Sequence, residues 1–226
     1  MNRIALVIPV FNEGRQIYKT LQQVDMKKYY VVCVNDGSND DSSLEIRKTT
    51  AHLVEHPMNL GQGAALQTGI EYALLNKHIK YIVTFDADGQ HGLDDVANMI
   101  DVIEKEKLDV VLGSRFLGNT VNMPKLKKII LKTAVKFANL TSGIKLTDTH
   151  NGLRVFTRAT AERLNLQASD YSHASEIIEK VRTLNLKYTE VPITITYTEY
   201  SKSKGQSMIN AINIGFDILL DKVMGR

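Results

Sequence analysis

Two carboxylates stand two residues apart in the stretch Asp-Ala-Asp-Gly-Gln, directly after the apolar run 81–85. At that spacing Asp86 and Asp88 can turn to the same side and share a hard cation, since Mg²⁺ and Mn²⁺ prefer oxygen ligands. Such a cation would neutralise the charge that builds on a leaving diphosphate. Taken alone, the stretch also fits a capped turn with two solvated acids, so the interpretation depends on what else reaches this place.

Polar residues also follow two other apolar runs. Asn-Glu at 12–13 follows the run 4–10, and Asn-Asp at 35–36 follows the run 29–34. If these runs are parallel strands, their carboxyl ends meet at one edge of the sheet, where ligands of α/β proteins bind. Asp36 is then placed to accept an N–H of a nucleobase, although an Asx turn produces the same pattern.

A pair of glycines opens the helical pattern that continues to residue 76. Gly61 and Gly63 stand at its first residues, and a helix N-terminus offers free N–H groups and a partial positive charge. We therefore expect Gly63 to lie beside a phosphate or the nucleotide. A single glycine-rich loop is weak evidence, and it gains weight only from the other strand ends.

The elements that must position these residues alternate along the first half of the chain. This alternation predicts an α/β fold with a mostly parallel central sheet and helices on both faces. We expect strands over 4–10, 29–34, 53–55, 81–85, 109–112, 153–156 and 190–197. We expect helices over 13–24, 41–48, 63–76, 93–106, 123–140, 172–184 and 207–223. The chain thus divides into one domain over 1–206 and a C-terminal amphipathic helix within 207–226, for packing or partner contact.

Composition excludes several other classes of protein. The 226 residues are 43% hydrophobic and 23% charged, as in soluble globular proteins, and a net charge of +3 gives no reason to expect a nucleic-acid partner. The one cysteine, Cys33, lies in an apolar run and reads as a buried thiol, which fits a reducing compartment. No signal-peptide pattern or membrane-spanning run is present. We expect a cytoplasmic protein, soluble or peripheral.

Four motifs together carry a resemblance to a known family. They are Pro-Val-Phe-Asn-Glu at 9–13, Asn-Asp-Gly-Ser at 35–38, Asn-Leu-Gly-Gln-Gly-Ala at 59–64 and Asp-Ala-Asp-Gly-Gln-His at 86–91. In this order they resemble the inverting family-2 glycosyltransferases, and most of all the branch of dolichol-phosphate mannose synthases and polyprenyl-phosphate glycosyltransferases. The resemblance implies a GT-A, Rossmann-like nucleotide-sugar-binding fold and a hexosyltransferase that uses a UDP- or GDP-sugar.

The resemblance also implies roles for individual residues. It implies that Asp86, Asp88 and Gln90 bind Mg²⁺ or Mn²⁺, and that the catalytic residues include Asp88, Arg115 and Glu176. The residues expected to bind the nucleotide-sugar are Pro9, Phe11, Glu13, Asp36, Gly63, Asp86 and Ala87. The residues expected to bind the acceptor or a phosphate are Arg115, Arg154, Lys202 and Lys204. A surface ion pair is the plain alternative for Arg115.

Three positions depart from the family's pattern. Leu153 stands where an aromatic residue is usual in the acceptor-side loop, and Lys202 stands where an arginine is usual in the tail. Met208 replaces the last lysine of the same tail motif. A lysine offers phosphate a point charge but no bidentate fork, so a phosphate contact in the tail is in doubt.

The acceptor in the resembled branch is a polyprenyl phosphate at the cytoplasmic face of the membrane. The lysines at 125, 128, 132 and 136 recur at helical spacing beside an apolar stripe of Leu126, Ile130, Ala134 and Phe137. Such a helix suits an anionic membrane surface, although ordinary core packing explains it equally. The expectation is a peripheral protein on the inner face of the cell membrane. A membrane-protein partner and a homo-oligomer stay open.

Two other functions remain in competition. One is a glycosyltransferase that extends a cell-surface polysaccharide or lipid-linked saccharide with Glu176 as base, because a hydroxyl nucleophile needs a base and a phosphate does not. A first-turn helix acid is the plain alternative for Glu176. The other is a catalytically inactive binding or scaffold subunit, against which the intact Asp86, Asp88 and Arg115 argue. Dinucleotide oxidoreductases are excluded, since no Gly-x-Gly-x-x-Gly follows the first strand.

Overall fold

A computed structural model describes residues 3–170 and 172–201. The strands are β1 (Ile4–Val10), β2 (Tyr29–Asp36), β3 (His52–His56), β4 (Tyr81–Thr84), β5 (Val110–Val121), β6 (Arg154–Thr157) and β7 (Tyr188–Thr196). The helices are α1 (Gly14–Gln22), α2 (Ser42–Arg47), α3 (Gln62–Leu74), α4 (Leu93–Glu106), α5 (Lys125–Ser142), α6 (Arg158–Leu164) and α7 (His173–Thr183). The predicted helix over 207–223 and the predicted phosphate contacts Lys202 and Lys204 lie outside the described residues.

All seven strands form one sheet in the order β3-β2-β1-β4-β6-β5-β7. Strand β6 runs antiparallel to both of its neighbours, and every other pairing is parallel. The mostly parallel sheet is thus confirmed. Because β6 is reversed, its first residue lies at the edge where the other strands end, and Arg154 pairs with Thr84 at the end of β4.

Each face of the sheet is covered by helices, because successive strand residues point to opposite sides. On one face, Leu6 and Ile8 of β1 belong to a core with residues of α1, α2 and α4, and Cys33 is buried there. On the other face, Ala5 and Val7 belong to a core with residues of α3, α6 and α7. Burial raises the pKa of the Cys33 thiol, as expected for a structural cysteine. Helices on both faces are confirmed.

The second half differs from the prediction in two elements. Strand β5 continues to Val121, well beyond the predicted end at 112, with a register shift against β7 between Ser114 and Asn119. A side chain at Gly118 would overlap the main chain of Ile193, so the glycine permits the close approach of the two strands. Helix α6 was not predicted, although the Thr157 side chain caps it by accepting from the Thr160 N–H.

Candidate functional site

The predicted metal ligands lie together on the turn after β4. The Asp86 Oδ2 is 2.8 Å from Nε2 of His91, and Asp88 accepts hydrogen bonds from the side chain and the backbone N–H of Gln90. Gly89 has φ +74, which an L-residue rarely adopts, and this lets the chain reverse between Asp88 and Gln90. On the other side of Asp86, a side chain at position 152 would overlap the Asp86 carboxylate, so a glycine is needed there.

The two carboxylates on this turn repel each other. Burial, followed by the negative charge of Asp86, raises the pKa of Asp88 to about 6. Burial also opposes the charge on Asp86, but the hydrogen bond from His91 and the charges of His91 and Arg154 hold its pKa below the usual value. A bound cation would relieve this repulsion.

The turn suits a hard divalent cation that a diphosphate also coordinates. Its donors are two carboxylates and an amide, all oxygen ligands of the kind Mg²⁺ and Mn²⁺ prefer. Within 3–170 and 172–201, no group of three His, Cys, Asp or Glu side chains could hold a metal ion by itself. A cation on this turn would need further oxygen ligands, from a bound molecule or from water.

On the side where the nucleotide is expected, the end of β1 opens into a cleft of about 340 Å³. The cleft is lined by Asn12, Glu13, Gly14, Arg15, Gln16, Lys19, Asp40 and Tyr200. Tyr200 donates a 2.7 Å hydrogen bond to Glu13 Oε2, so the last described residues reach back to the end of the first strand. Phe11 is exposed beside Asn12, and Pro9 lies within β1.

Asp36 is buried and already holds a loop. Its Oδ1 accepts from the Leu60 N–H at 2.9 Å and lies 2.7 Å from His56 Nδ1, while its Oδ2 accepts from the Gly61 N–H at 2.8 Å. A contact with a nucleobase would have to coexist with these bonds. The carboxylate thus fixes the 56–61 loop at the edge of the nucleotide side.

Gly63 is explained by packing. Its N–H donates to the Ser169 carbonyl at 2.8 Å, and a side chain here would overlap the Ala168 carbonyl. The Ala64 N–H donates to the same Ser169 oxygen. This contact accounts for the glycine without a phosphate, and it uses the N–H groups that the expected phosphate contact would need.

Arg115 lies in a buried ion pair with Asp148. It is 8% exposed, and its Nε donates to Asp148 Oδ2 at 2.6 Å. Its Nη2 donates to the His150 carbonyl at 2.9 Å, and its Nη1 to the Tyr197 hydroxyl at 3.1 Å. Burial opposes the charge, but Asp148 holds the pKa of Arg115 above its usual value. Arg115 therefore does form an ion pair, as the alternative stated, but the pair is buried and not at the surface.

Arg154 is also buried, but its guanidinium has capacity left. It is 3% exposed, and its buried Nη1 has no hydrogen-bond partner among the described residues. Burial lowers the pKa of Arg154 to about 10, against the attraction of Asp86 and Asp148, so the group stays charged at neutral pH. An unsatisfied buried donor costs about 1–3 kcal/mol, which an anionic ligand oxygen would recover.

Lys127 is a site residue that the sequence reasoning missed. Four other lysines of α5, at 125, 128, 132 and 136, are exposed, whereas Lys127 is half-buried with its Nζ 4.8 Å from the centre of the Tyr197 ring. Burial and the charge of Arg115 lower the pKa of Lys127, while Asp88 raises it. The signal was present in the sequence, because Lys127 shares a helix face with the buried Leu131 and Ala134.

Glu176 holds a neighbouring loop in place through hydrogen bonds to its main chain. Its carboxylate accepts from the Gln167 N–H at 2.9 and 3.0 Å and from the Ala168 N–H at 2.8 Å, and this segment carries the Ser169 carbonyl that contacts Gly63. The neighbouring His173 was missed by the sequence reasoning. Its buried ring donates from Nδ1 to the Asp170 carbonyl at 2.7 Å, and burial, with the charge of Arg154, lowers its pKa.

Comparison with known proteins shows the family. The family described as "Glycosyl transferase family 2" matches residues 5–164. The chain belongs to glycosyl transferase family 2. It is 37% identical over 227 residues to an uncharacterized protein of Methanocaldococcus jannaschii, covering 98% of this chain and 93% of that protein. This family membership confirms the expected enzyme class, a hexosyltransferase.

A second relative belongs to the expected branch of the family. It is the UDP-N-acetylglucosamine–dolichyl-phosphate N-acetylglucosaminyltransferase of Methanococcus voltae, 30% identical over 243 residues, with 97% of this chain and 96% of that protein covered. Among solved structures, glucosyl-3-phosphoglycerate synthase from Mycobacterium tuberculosis, in complex with Mn²⁺, UDP and glucosyl-3-phosphoglycerate, has a TM-score of 0.64 at 17% identity. That match covers 86% of this chain and 71% of the other, and it confirms the GT-A fold.

Proposed function

We propose that this glycosyltransferase moves a sugar from a nucleotide diphosphate-sugar to a polyprenyl phosphate, with Mg²⁺ or Mn²⁺ bound by Asp86 and Asp88. The observation that carries the proposal is the pair of carboxylates beside Arg154, whose buried Nη1 has no partner among the described residues. A metal–diphosphate suits the acids, and a second phosphate suits the arginine. The names of the Methanococcus voltae relative and of the Mycobacterium tuberculosis complex support both halves of this assignment.

The chain's own residues then divide the work. Asp86 and Asp88, with Gln90, would hold the metal, which when bound neutralises charge on the leaving diphosphate. Arg154 and Lys127 orient the acceptor phosphate, and Arg115 is held rigidly behind them by Asp148. A phosphate oxygen of the acceptor attacks the anomeric carbon in line. A bond forms between that oxygen and carbon, the bond from carbon to the diphosphate breaks, and the nucleoside diphosphate leaves.

A phosphate acceptor is favoured over a hydroxyl because the expected base, Glu176, already accepts hydrogen bonds from the main chain of its own loop. A phosphate is anionic at neutral pH and needs no deprotonation, whereas a hydroxyl does. Glu176 is bound to main-chain N–H groups of its own loop, and Asp148 is bound to Arg115. The rival function, extension of a saccharide with Glu176 as base, therefore lacks support from the geometry.

Helix α5 supplies the surface for a membrane-bound acceptor. Leu126 and Ile129 are 67% and 64% exposed, on the same side as the exposed Lys125, Lys128 and Lys132. Leu126, which the sequence groups with the apolar stripe, is exposed among the lysines. An outer face that is both basic and apolar suits the anionic cytoplasmic leaflet. We infer peripheral binding of α5 to that leaflet. No helix within the described ranges is long and apolar enough to cross a membrane.

The proposed donor site is tested first by a thermal-shift screen. UDP-, GDP- and dTDP-sugars are each added with Mn²⁺, Mg²⁺ or a chelator. A donor at 100 times its dissociation constant should add about 2.7 kcal/mol of apparent stability, and the gain should vanish with the chelator. The donor that shifts the protein is then supplied with a short-chain polyprenyl phosphate, and sugar-phosphate formation is measured.

Each step has its own contrary outcome. A well-folded protein that no nucleotide-sugar stabilises would contradict the donor assignment. A donor that binds but transfers to a saccharide hydroxyl and not to the polyprenyl phosphate would overturn the acceptor assignment. Retention on vesicles containing anionic lipid tests the α5 face; equal retention of the Leu126→Ser and Ile129→Ser double variant would contradict peripheral binding through α5.

A further inference from the structure

Helix α1 is in contact with the metal turn through two side chains that the proposed chemistry does not use. Gln16 Nε2 donates to the main-chain carbonyl of Asp88 at 3.1 Å, and Thr20 Oγ1 donates to the carbonyl of Ala87 at 2.8 Å. The two side chains also approach each other, with Gln16 Nε2 3.5 Å from Thr20 Oγ1. Both bonds are made to the main chain of the turn, so the carboxylates stay available for a ligand.

The position of Thr20 indicates a specific task. It is 3% exposed and lies on the face of α1 that also carries the fully buried Ile17 and Leu21. An apolar residue would be the default choice there, because a buried hydroxyl is costly unless it is hydrogen-bonded. Its one described hydrogen-bond acceptor outside α1 is the Ala87 carbonyl.

The turn follows the shape of these two side chains. A side chain at Gly89 would begin 2.9 Å from Gln16 Nε2 and 3.3 Å from Thr20 Oγ1. Gly89 also has φ +74, and a glycine there would sample other conformations if nothing held its neighbours. Gln16 and Thr20 therefore fix the carbonyls of the two residues before the glycine, and with them the direction of the Asp88 side chain.

The same helix is anchored at its first turn on the nucleotide side. The N–H groups of Glu13 and Gly14 donate to Ser42 Oγ at 2.9 and 3.0 Å, and the Glu13 carboxylate accepts from Tyr200. One short helix thus connects the end of β1 with the metal turn. A rigid connection of this kind keeps two parts of a site in register.

We propose that Gln16 and Thr20 are positioning residues that hold the turn 87–89 in the geometry that binds the metal and diphosphate together. The inference rests on the proposed donor site. Neither residue is assigned a contact with the metal, and both bond the main chain of the turn. Gln16 also lines the cleft beside Glu13, whereas Thr20 does not, so Thr20 gives the cleaner test. Groups that orient metal ligands typically contribute about 10–100-fold to metal affinity.

The test measures Mn²⁺ binding directly, by electron paramagnetic resonance of free Mn²⁺ in the presence of UDP or of GDP. Thr20→Val removes the hydroxyl and keeps the branched shape, and it should weaken Mn²⁺ binding about 10-fold. Thr20→Ser restores the hydroxyl and should bind Mn²⁺ like the unchanged protein. Thr133→Val is the matched control, since the Thr133 hydroxyl bonds the Ile129 carbonyl on the exposed side of α5.

The outcomes separate this inference from the proposed function. If the unchanged protein fails to bind Mn²⁺ both in the presence of UDP and in the presence of GDP, the proposed donor site is wrong, and the inference is overturned with it. If the unchanged protein binds Mn²⁺ and Thr20→Val binds it equally well, only the positioning role is overturned, and equal weakening in Thr20→Ser overturns it too. Gln16→Met, at a partly exposed position, repeats the test should Thr20→Val fail to fold.

Discussion

The proposed donor side and the proposed acceptor side of the site are built in different ways. On the donor side, Asp36 accepts hydrogen bonds from main-chain N–H groups that lie 24 and 25 positions away along the chain. Asp88 accepts one from the N–H group two positions away. On the acceptor side, Arg115 reaches partners that lie 33, 35 and 82 positions away. The Asp36 and Asp88 carboxylates are therefore held by nearby loops, although the turn that carries Asp88 is itself held by α1 from about 70 positions away. The Arg115 guanidinium, in contrast, is held by the packing of the second half.

The two sides also carry opposite excess charge. Burial and the negative charge of Asp86 raise the pKa of Asp88 on the donor side, whereas burial and neighbouring cations lower the pKa of Arg154 and of Lys127 on the acceptor side. Each cluster is thus stabilised by a ligand of the opposite sign, a cation on one side and a phosphate on the other. The site therefore has an acidic side and a basic side before either substrate binds.

The largest expected effect comes from removing a donor-side charge. Asp88→Ala should lower sugar transfer by at least about 1,000-fold, because the charge on the leaving diphosphate is then not neutralised. The fold should stay intact, since the substitution relieves repulsion with Asp86. Turnover and circular dichroism check both statements. Asp94→Ala, at an exposed position of α4, is the control, and near-normal turnover in Asp88→Ala would contradict the metal assignment.

The next effect is on stability and belongs to the acceptor side. Arg115→Met leaves the Asp148 carboxylate buried and unpaired, which should cost about 3–5 kcal/mol in the free energy of unfolding. Urea denaturation measures it. Arg47→Met breaks an exposed pair with Glu55 on the donor half and should cost less than about 1 kcal/mol. Similar losses in the two variants would show that the contrast between the sides is absent.

A pH dependence should also belong to the acceptor side. Burial lowers the pKa of His150 to about 4, from 6.5 in an unfolded chain. Between these values the unfolded chain takes up a proton that the folded protein does not, so stability falls as the pH falls. From pH 7.5 to 5 the protein should lose about 2 kcal/mol more than His150→Gln does. His78→Gln, at an exposed position, should behave like the unchanged protein, and parallel losses in all three would be inconsistent with a buried neutral His150.

Lys127 offers a smaller and more local test. Lys127→Ala should raise the KM for the polyprenyl phosphate about 10-fold and leave the KM for the donor unchanged, because one charged contact to the acceptor phosphate is lost. Lys128→Ala, next along the helix and exposed, is the matched control in a detergent-solubilised assay. A rise in the donor KM instead would move Lys127 to the other side of the comparison.

Glu176 should give the smallest effect. Glu176→Gln should lower transfer to a polyprenyl phosphate by less than about 10-fold, since the residue holds a loop, whereas loss of a general base costs about 10²–10⁴-fold. Steady-state turnover against the exposed control Glu179→Gln measures it. A loss beyond 100-fold would return Glu176 to the role of base and favour a hydroxyl acceptor.

The sequence by itself determined the first half of the fold and the place of the donor-side acids. The runs 4–10, 29–34 and 81–85 are apolar and end in polar residues, and parallel strands bring such ends to one edge. Periodicity is a local property of the chain, so it is readable without knowing what packs on it. The later strand β5 was predicted too short, because Gly113 and Gly118 look like loop residues until Ile193 is seen beside them.

Only the tertiary structure decided which side chains meet. That Arg115 bonds Asp148 and that Lys127 lies over the Tyr197 ring depend on contacts between distant segments. That Glu176 holds a loop depends on how residues 167–168 fold back onto α7. A charged residue type states what a side chain can bind. Burial and neighbours decide what it does bind, because the cost of leaving a buried charge or N–H unpaired selects the partner that packing brings within reach.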